Sequence, residues 1–290
     1  MRMRVLTVAV LVACSGPRPR PPKGEVVVSF EGRVENGPFR FGKDDLPGLP
    51  RHGFKAVSPI TGKEAKFEGV AVTAIFGDVL EVATGGDTAV FHGQGGYAAP
   101  VPIAALRHLK PVLADKVDGA PVGEWRGDAA PLQLAWPNVE QPGIDSDPRM
   151  RWWWVAGVRK VEIQNWIATY GRALRVPQGS SDEARLGAEA ISVSCIGCHK
   201  VRGVGGTRGP ELMDASVRRD PQAFTANMRE HLAKASGTES APETSPVAAR
   251  QIAAFLHAVD LAGTRPEEDA QPPDLPALPP PVPGGHAPGS

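Results

Sequence analysis

The pattern of hydrophobic and polar residues divides the chain into a strand-rich region followed by a helical one. Short β-branched or alternating runs, separated by glycine-containing turns, predict the strands. They cover 26–30, 39–41, 88–91 and 132–136, and an alternating Val161/Ile163 pair predicts one more. Asp44 could begin a short helix. After a junction at 177–180 the pattern favours helices and loops, so we expect a mixed α/β domain over 25–170 and an all-α domain over 181–262.

Two helices stand out in the second region. The first begins near Ser181 or Asp182, either of which could be the N-cap residue. The last lies within 248–259, where apolar residues recur at helical spacing: Ile252, Phe255, Leu256 and Val259.

The two ends differ from the middle. A basic start and the apolar run Val5 to Ala13 are typical of an export signal over 1–13. Leu11-Val12-Ala13-Cys14-Ser15 resembles a bacterial lipobox, which implies cleavage before Cys14 and acylation of its sulfur; the alternative is an ordinary signal peptide with an incidental cysteine. A proline-rich spacer would follow over 14–24, and composition predicts a disordered tail over 263–290. We therefore expect a lipid-anchored protein in the cell envelope, facing the periplasm, with the outer membrane favoured over the inner.

Charge and cysteine content narrow the function classes. Of the 290 residues, 32 are Lys or Arg and 32 are Asp or Glu, so the formal net charge is zero. This balance lacks the basic excess of a nucleic-acid-binding protein. The 3 cysteines are Cys14, Cys195 and Cys198, too few for a disulfide framework.

Cys195 and Cys198 belong to a C-x-x-C-H motif that ends at His199. This motif is the signature of c-type haem attachment, in which two thiols bond one porphyrin and the histidine binds its iron. Two other sites use related spacings. A redox dithiol usually lies in a βαβ unit, whereas the flanks here are helical. A zinc site would need further Cys or His ligands nearby, and within the domain only His231 and His257 follow.

The motif and its flanks over 181–262 resemble the monohaem cytochrome c domain. The resemblance rests on an N-terminal helix, the C-x-x-C-H motif, a Gly-Pro-x-Leu segment and a C-terminal helix with an aromatic residue. It implies one covalent haem c held by Cys195 and Cys198, with His199 as the proximal iron ligand. It also implies that Gly209, Pro210 and Leu212 pack against the porphyrin and that the first and last helices cross.

The distal ligand departs from that family's pattern. Ala241-Pro242 occupies the place where a Met-Pro pair is usual. His231 and Met228 are the main replacements, since both would share a helical face with Phe224, and Met213 is a third. The iron could also have no strong distal ligand. A core role for Met228 and a surface role for His231 are the plainer interpretations.

The first region is similar to the molybdopterin-binding domain of sulfite-oxidase-like enzymes. The similarity rests on segments such as 37–46, 67–70, 96–103 and 131–137. The active relatives bind molybdenum through a cysteine, and no cysteine lies between Cys14 and Cys195. We therefore expect a degenerate domain without molybdenum cofactor. Arg51, His52, His92 and His108 could be remnants of an anion or pterin pocket, and an ordinary surface or hydrogen-bonded role is the plainer interpretation. Trp152-Trp153-Trp154 could pack against the haem domain or a partner, or lie in the core of a closing strand.

These observations predict a non-enzymatic electron carrier: an exported c-type cytochrome lipoprotein that exchanges electrons with unidentified redox proteins. The alternatives are a haem-based sensor with a weak or absent distal ligand and a subunit of a molybdenum oxidoreductase system.

Overall fold

A computed structural model describes residues 18–59, 61–127, 131–213, 227–228, 230–231 and 245–261. The predicted signal segment, Cys14, most of the loop before the last helix and the C-terminal tail lie outside these residues. Within them, strands outnumber long helices, and two five-stranded sheets build most of the structure.

The first sheet contains most of the strands that the sequence predicts. Its order is β2-β1-β10-β5-β6; β1 and β10 are parallel, and the other pairs are antiparallel. The bounds are β1 (Val26–Gly32), β2 (Phe39–Gly42), β5 (Thr88–His92), β6 (Ala98–Pro102) and β10 (Lys160–Gln164). The strand predictions over 26–30, 39–41 and 88–91 are confirmed. Their β-branched and aromatic residues explain them, because these side chains pack well on the pleated surface of a sheet.

The second sheet was largely missed by the sequence analysis. Its order is β3-β4-β7-β8, and β9 pairs with the other side of β7. The bounds are β3 (Arg51–Val57), β4 (Glu64–Ala71), β7 (Val112–Val117), β8 (Ala120–Pro121) and β9 (Gln133–Ala135). One face of β4 is charged and exposed, and the other is buried through Ala65 and Phe67.

Helical segments in the first region are short. The α-helices are α1 (Val72–Ala74), α2 (Ile103–Leu109) and α3 (Val122–Arg126). Four 3₁₀ segments cover Leu46–Gly48, Gln94–Gly96, Pro142–Ser146 and Met150–Trp153, and two π-helical turns cover Ile75–Val79 and Ile167–Gly171. The short helix expected at Asp44 is the first of these 3₁₀ turns, with Asp45 as its N-cap.

The second region contains two long helices, α4 (Asp182–Ser194) and α5 (Pro246–Leu261), which pack on each other. Ser181 is the N-cap of α4, since its hydroxyl accepts a hydrogen bond from the Ala184 amide at 3.2 Å. Gly187 allows the close contact between the helices: a Cβ atom there would lie 2.0 Å from the Gln251 carbonyl oxygen.

The expected all-α domain after residue 181 is wrong. A two-stranded hairpin, β11 (Lys200–Val201) and β12 (Val204–Gly205), follows the cysteine motif. Arg202 and Gly203 form its turn with φ of 50° and 80°, the left-handed conformation that two-residue hairpin turns favour. The structure is thus mixed α/β and mostly sheet, with helices prominent only near its C-terminal end. Two-residue strands carry too little alternation for the sequence pattern to indicate them.

Strands β5 and β6 join the two regions. Ala89, Phe91 and Val101 point into the core of the first region, whereas Val90 and Ala98 point into a second core that α4 and α5 complete. The second core also contains Trp166, Tyr170 and Leu174, from the segment between β10 and α4. Burial on both faces of the sheet therefore attaches the cysteine motif to the first region. Among the described residues, no helix has the length and apolar character needed to cross a bilayer.

Candidate functional site

The cysteine motif forms a tight turn at the end of α4. The amides of Cys198 and His199 both donate to the Cys195 carbonyl, at 3.0 and 2.9 Å. The chain then returns through the hairpin, and the amide of Gly209 donates to the Cys198 carbonyl at 2.9 Å. Both thiols and the imidazole are consequently carried by one turn, whose ends are fixed by backbone hydrogen bonds.

The imidazole of His199 has a defined orientation. Its Nδ1 atom lies 2.7 Å from the carbonyl oxygen of Pro210, which can only accept, so Nδ1–H is the donor. In the neutral ring the lone pair is then on Nε2, the atom available to a metal. Gly209 is essential to this packing, because a Cβ atom there would lie 2.2–2.8 Å from three atoms of the ring. Gly209 and Pro210 therefore contact the histidine itself.

The two thiols have different surroundings. Cys198 is half-buried and lines a cavity together with His199, and burial raises the pKa of its thiol while Arg208 acts in the opposite direction. Cys195 is buried in the second core, with its Sγ atom 3.7 Å from the Ser194 hydroxyl. Only one of the two thiols thus belongs to the cavity wall.

The cavity encloses about 630 Å³, within the roughly 300–1,000 Å³ typical of ligand pockets. The second region contributes Cys198, His199, Arg208, Gly209 and His231. The first region contributes a larger set, namely Gln94, Gly95, Tyr97, Arg126, Arg151, Trp152, Trp154 and Ala156. Because Arg208 and His231 are exposed, the cavity opens to solvent.

Direct contacts hold the two walls of this cavity together. The amide of Ala98 donates to the Gly197 carbonyl, and the amide of Thr207 donates to the Gly96 carbonyl, both at 2.8 Å. The Tyr97 ring packs against Gly197, where a Cβ atom would lie 2.9 Å from it, and the Tyr97 hydroxyl donates to the Trp152 carbonyl at 2.5 Å. Burial raises the pKa of Tyr97, so this hydroxyl stays protonated.

The candidates for a distal ligand differ in whether they line the cavity. His231 lines the cavity, and its ring centroid lies 5.6 Å from that of His199 at an interplanar angle of 70°. Desolvation, and to a smaller degree His199, lowers the pKa of His231, which favours the neutral ring at neutral pH. Met228 is buried in the second core, and Leu212 and Met213 pack against that core. None of these three lines the cavity. Phe224 lies outside the described residues.

No protein-family model and no curated protein sequence matches this chain.

The remaining candidates of the first region are not gathered at this site. Arg51 and His52 line a separate shallow cleft with Glu68, and the Arg51 guanidinium makes a bidentate ion pair with Asp115. His92 is on the first sheet, where its Nε2 atom lies 3.3 Å from Oε2 of Glu162. His108 is on α2, away from the cavity lining. Trp153 is a core residue.

Several residues of the cavity were not predicted from the sequence, among them Tyr97, Arg126, Arg151 and Arg208. No local motif marks them, because each is polar or aromatic in a loop or short helix, as many surface residues are. Among the described residues, no cluster of three or more His, Cys, Asp or Glu side chains forms a metal site of its own. His199 and His231 both line this cavity, and an imidazole nitrogen is a suitable ligand for iron.

The residues present fit a haem in four respects. The Pro210 hydrogen bond leaves the Nε2 lone pair of His199 available, Cys198 and a second imidazole line the same cavity, and the volume suits a cofactor. The fourth is an orphaned donor: the Trp152 indole Nε1–H is buried without a hydrogen-bond acceptor among the described residues. Trp152 also lines the cavity.

Proposed function

We propose that this chain is an exported electron carrier with one haem c bound covalently in the cavity between its two regions. The observation that carries the proposal is the orientation of His199, whose Nδ1–H donates to Pro210 while its side chain lines the cavity that Cys198 also lines. A hydrogen-bonded Nδ1 is the usual arrangement of a histidine that binds a metal through Nε2.

In this proposal Cys195 and Cys198 would form the thioether bonds and His199 would bind the iron, and the Cys195 side chain would have to turn from the second core toward the cavity. His231 would be the second iron ligand, a choice supported by the 5.6 Å between its ring centroid and that of His199 and by the burial of Met228 in the second core. The bound iron would supply reversible one-electron exchange. The chain's own residues would orient the imidazoles, and the walls of the cavity would limit water around the cofactor while its open side admits electron exchange.

No acid–base chemistry is required of the chain for this role. The first region would act as a scaffold and a wall of the cofactor cavity, without molybdenum. Cys14 would carry the lipid anchor, which places the protein in the envelope, where bacterial haem attachment is completed. Its redox partners would be other proteins. The zero net charge gives no general attraction to nucleic acid.

The test is expression of the full chain with a c-type maturation system, followed by haem staining of denaturing gels. We expect one haem per chain in the wild type and no staining of the Cys195→Ser/Cys198→Ser double variant. His199→Ala should change the visible spectrum, because it removes a proposed iron ligand. His52→Ala, on the separate cleft, is its matched control and should keep the wild-type spectrum. A wild-type band that never stains would overturn the proposal.

The same material tests the distal ligand. With His231 bound, the reduced spectrum should be that of a six-coordinate low-spin haem, and carbon monoxide should bind slowly and incompletely. His231→Ala should bind carbon monoxide fully, whereas Met228→Leu should behave as the wild type. Rapid, complete binding by the wild type would contradict a firm sixth ligand and would favour a ligand-binding or sensor function instead.

A further inference from the structure

The cavity beside His199 has a strong charge bias. Three arginines line it, Arg126, Arg151 and Arg208, and among its described lining residues none is acidic. Two of these arginines belong to the first region and are half-buried. Since guanidinium groups bind carboxylates with paired hydrogen bonds, this lining suits a ligand with more than one carboxylate.

Trp152 adds a neutral donor to the same wall. Its indole Nε1–H is the buried, unpartnered donor described above, and an unmet donor of this kind costs free energy unless a ligand supplies an acceptor. The position of Trp152 is fixed because its carbonyl accepts the hydrogen bond from the Tyr97 hydroxyl. Tyr97 in turn packs against the cysteine motif at Gly197.

We propose that the first region binds the carboxylate edge of the haem, through the guanidinium groups of Arg126 and Arg151 and the indole N–H of Trp152. Haem carries two propionate carboxylates, and among its described residues the second region offers them one arginine in this cavity, Arg208. This inference rests on the proposed function, and it gives the first region a direct role in cofactor binding instead of a role as a spacer or docking module.

The electrostatic consequence is measurable. Ferrous haem carries one negative charge more than ferric haem, so nearby cations favour the reduced form. Removing one such cation should shift the ferric–ferrous equilibrium toward the ferric form. We expect about a twofold to tenfold shift for each arginine, where tenfold corresponds to about 59 mV for a one-electron couple.

The experiment compares midpoint potentials of matured full-length holoproteins. Arg126→Gln and Arg151→Gln should each lower the potential by the stated shift, and Arg151→Lys, which keeps the charge, should restore most of it. Trp152→Phe removes the donor but keeps the ring, and should shift the equilibrium about twofold. Arg40→Gln is the matched control, because Arg40 is exposed on β2 outside the cavity, and it should leave the potential unchanged.

The outcomes separate the two proposals. Absence of covalent haem in the wild type would overturn both. Covalent haem in the wild type, with Arg126→Gln, Arg151→Gln and Trp152→Phe all at the potential of Arg40→Gln, would overturn this inference and leave the proposed function standing. If one arginine variant fails to fold, the other and the milder Trp152→Phe substitution still decide, and an unchanged potential in both counts against the proposal.

Discussion

Replacing Gly209 with alanine is the sharpest test of the histidine geometry. A Cβ atom at this position would lie 2.2 Å from Cε1, 2.5 Å from Nδ1 and 2.8 Å from Nε2 of His199. All three distances are shorter than atomic contact permits, so the imidazole must move. Its movement would break the 2.7 Å hydrogen bond from Nδ1–H to the Pro210 carbonyl.

The size of the effect follows from two contributions. Forcing an extra methyl group into a packed site costs about 1–3 kcal/mol. Loss of the hydrogen bond at a ring that is 9% exposed adds about 0.5–1.5 kcal/mol. We therefore expect Gly209→Ala to lower the free energy of unfolding by about 2–4 kcal/mol. At roughly 2–4 °C per kcal/mol in a chain of this size class, the melting temperature should fall by about 4–16 °C.

Thermal unfolding followed by circular dichroism measures the stability change, and the visible spectrum of matured protein reports the ligation of the iron. Gly48→Ala is the matched control, because a Cβ atom there meets nothing within 4 Å, and its melting temperature should match the wild type. A Gly209→Ala protein that melts with the wild type and keeps its spectrum would refute the packing of His199 against Gly209.

Three further predictions concern other parts of the chain. Gly187→Ala should lower the melting temperature through separation of α4 and α5, because the new Cβ would lie 2.0 Å from the backbone oxygen of Gln251. Contact with His92 is the main cause that lowers the pKa of Glu162 from 4.5 to about 2. Ionised Glu162 thus stabilises the fold above pH 4.5, and this stabilisation is lost as the pH falls toward 2; in acid titrations Glu162→Gln should show a shallower loss of stability over that range. Cys14→Ser should release the protein from the membrane fraction, and unchanged fractionation would contradict the lipid anchor.

Local features of the fold were predictable from the sequence, and distant pairings were not. Val26, Val27 and Val28 form a β-branched run, so β1 was recognisable, and Ser181 marked the start of α4. In contrast, β3 and β7 form a sheet with charged residues on one side that depends on pairing with β4, and no local pattern specifies that partner. The expectation of an all-α second region failed for a related reason, since β11 and β12 are each two residues long.

The candidate site likewise has a part that was predictable from the sequence and a part that was not. Residue order alone placed Cys195, Cys198 and His199 together, because a spacing of three or four residues within one helical turn brings side chains close in any fold. The opposite wall of the cavity could not be predicted from the residue order, because Tyr97, Arg126 and Arg151 lie about fifty to a hundred residues before His199 along the chain. They line the same cavity as His199 because β5 and β6 are buried on both faces, which joins the first region to the second core. Chemistry carried by one turn is a local property, whereas the surroundings that tune it depend on long-range packing.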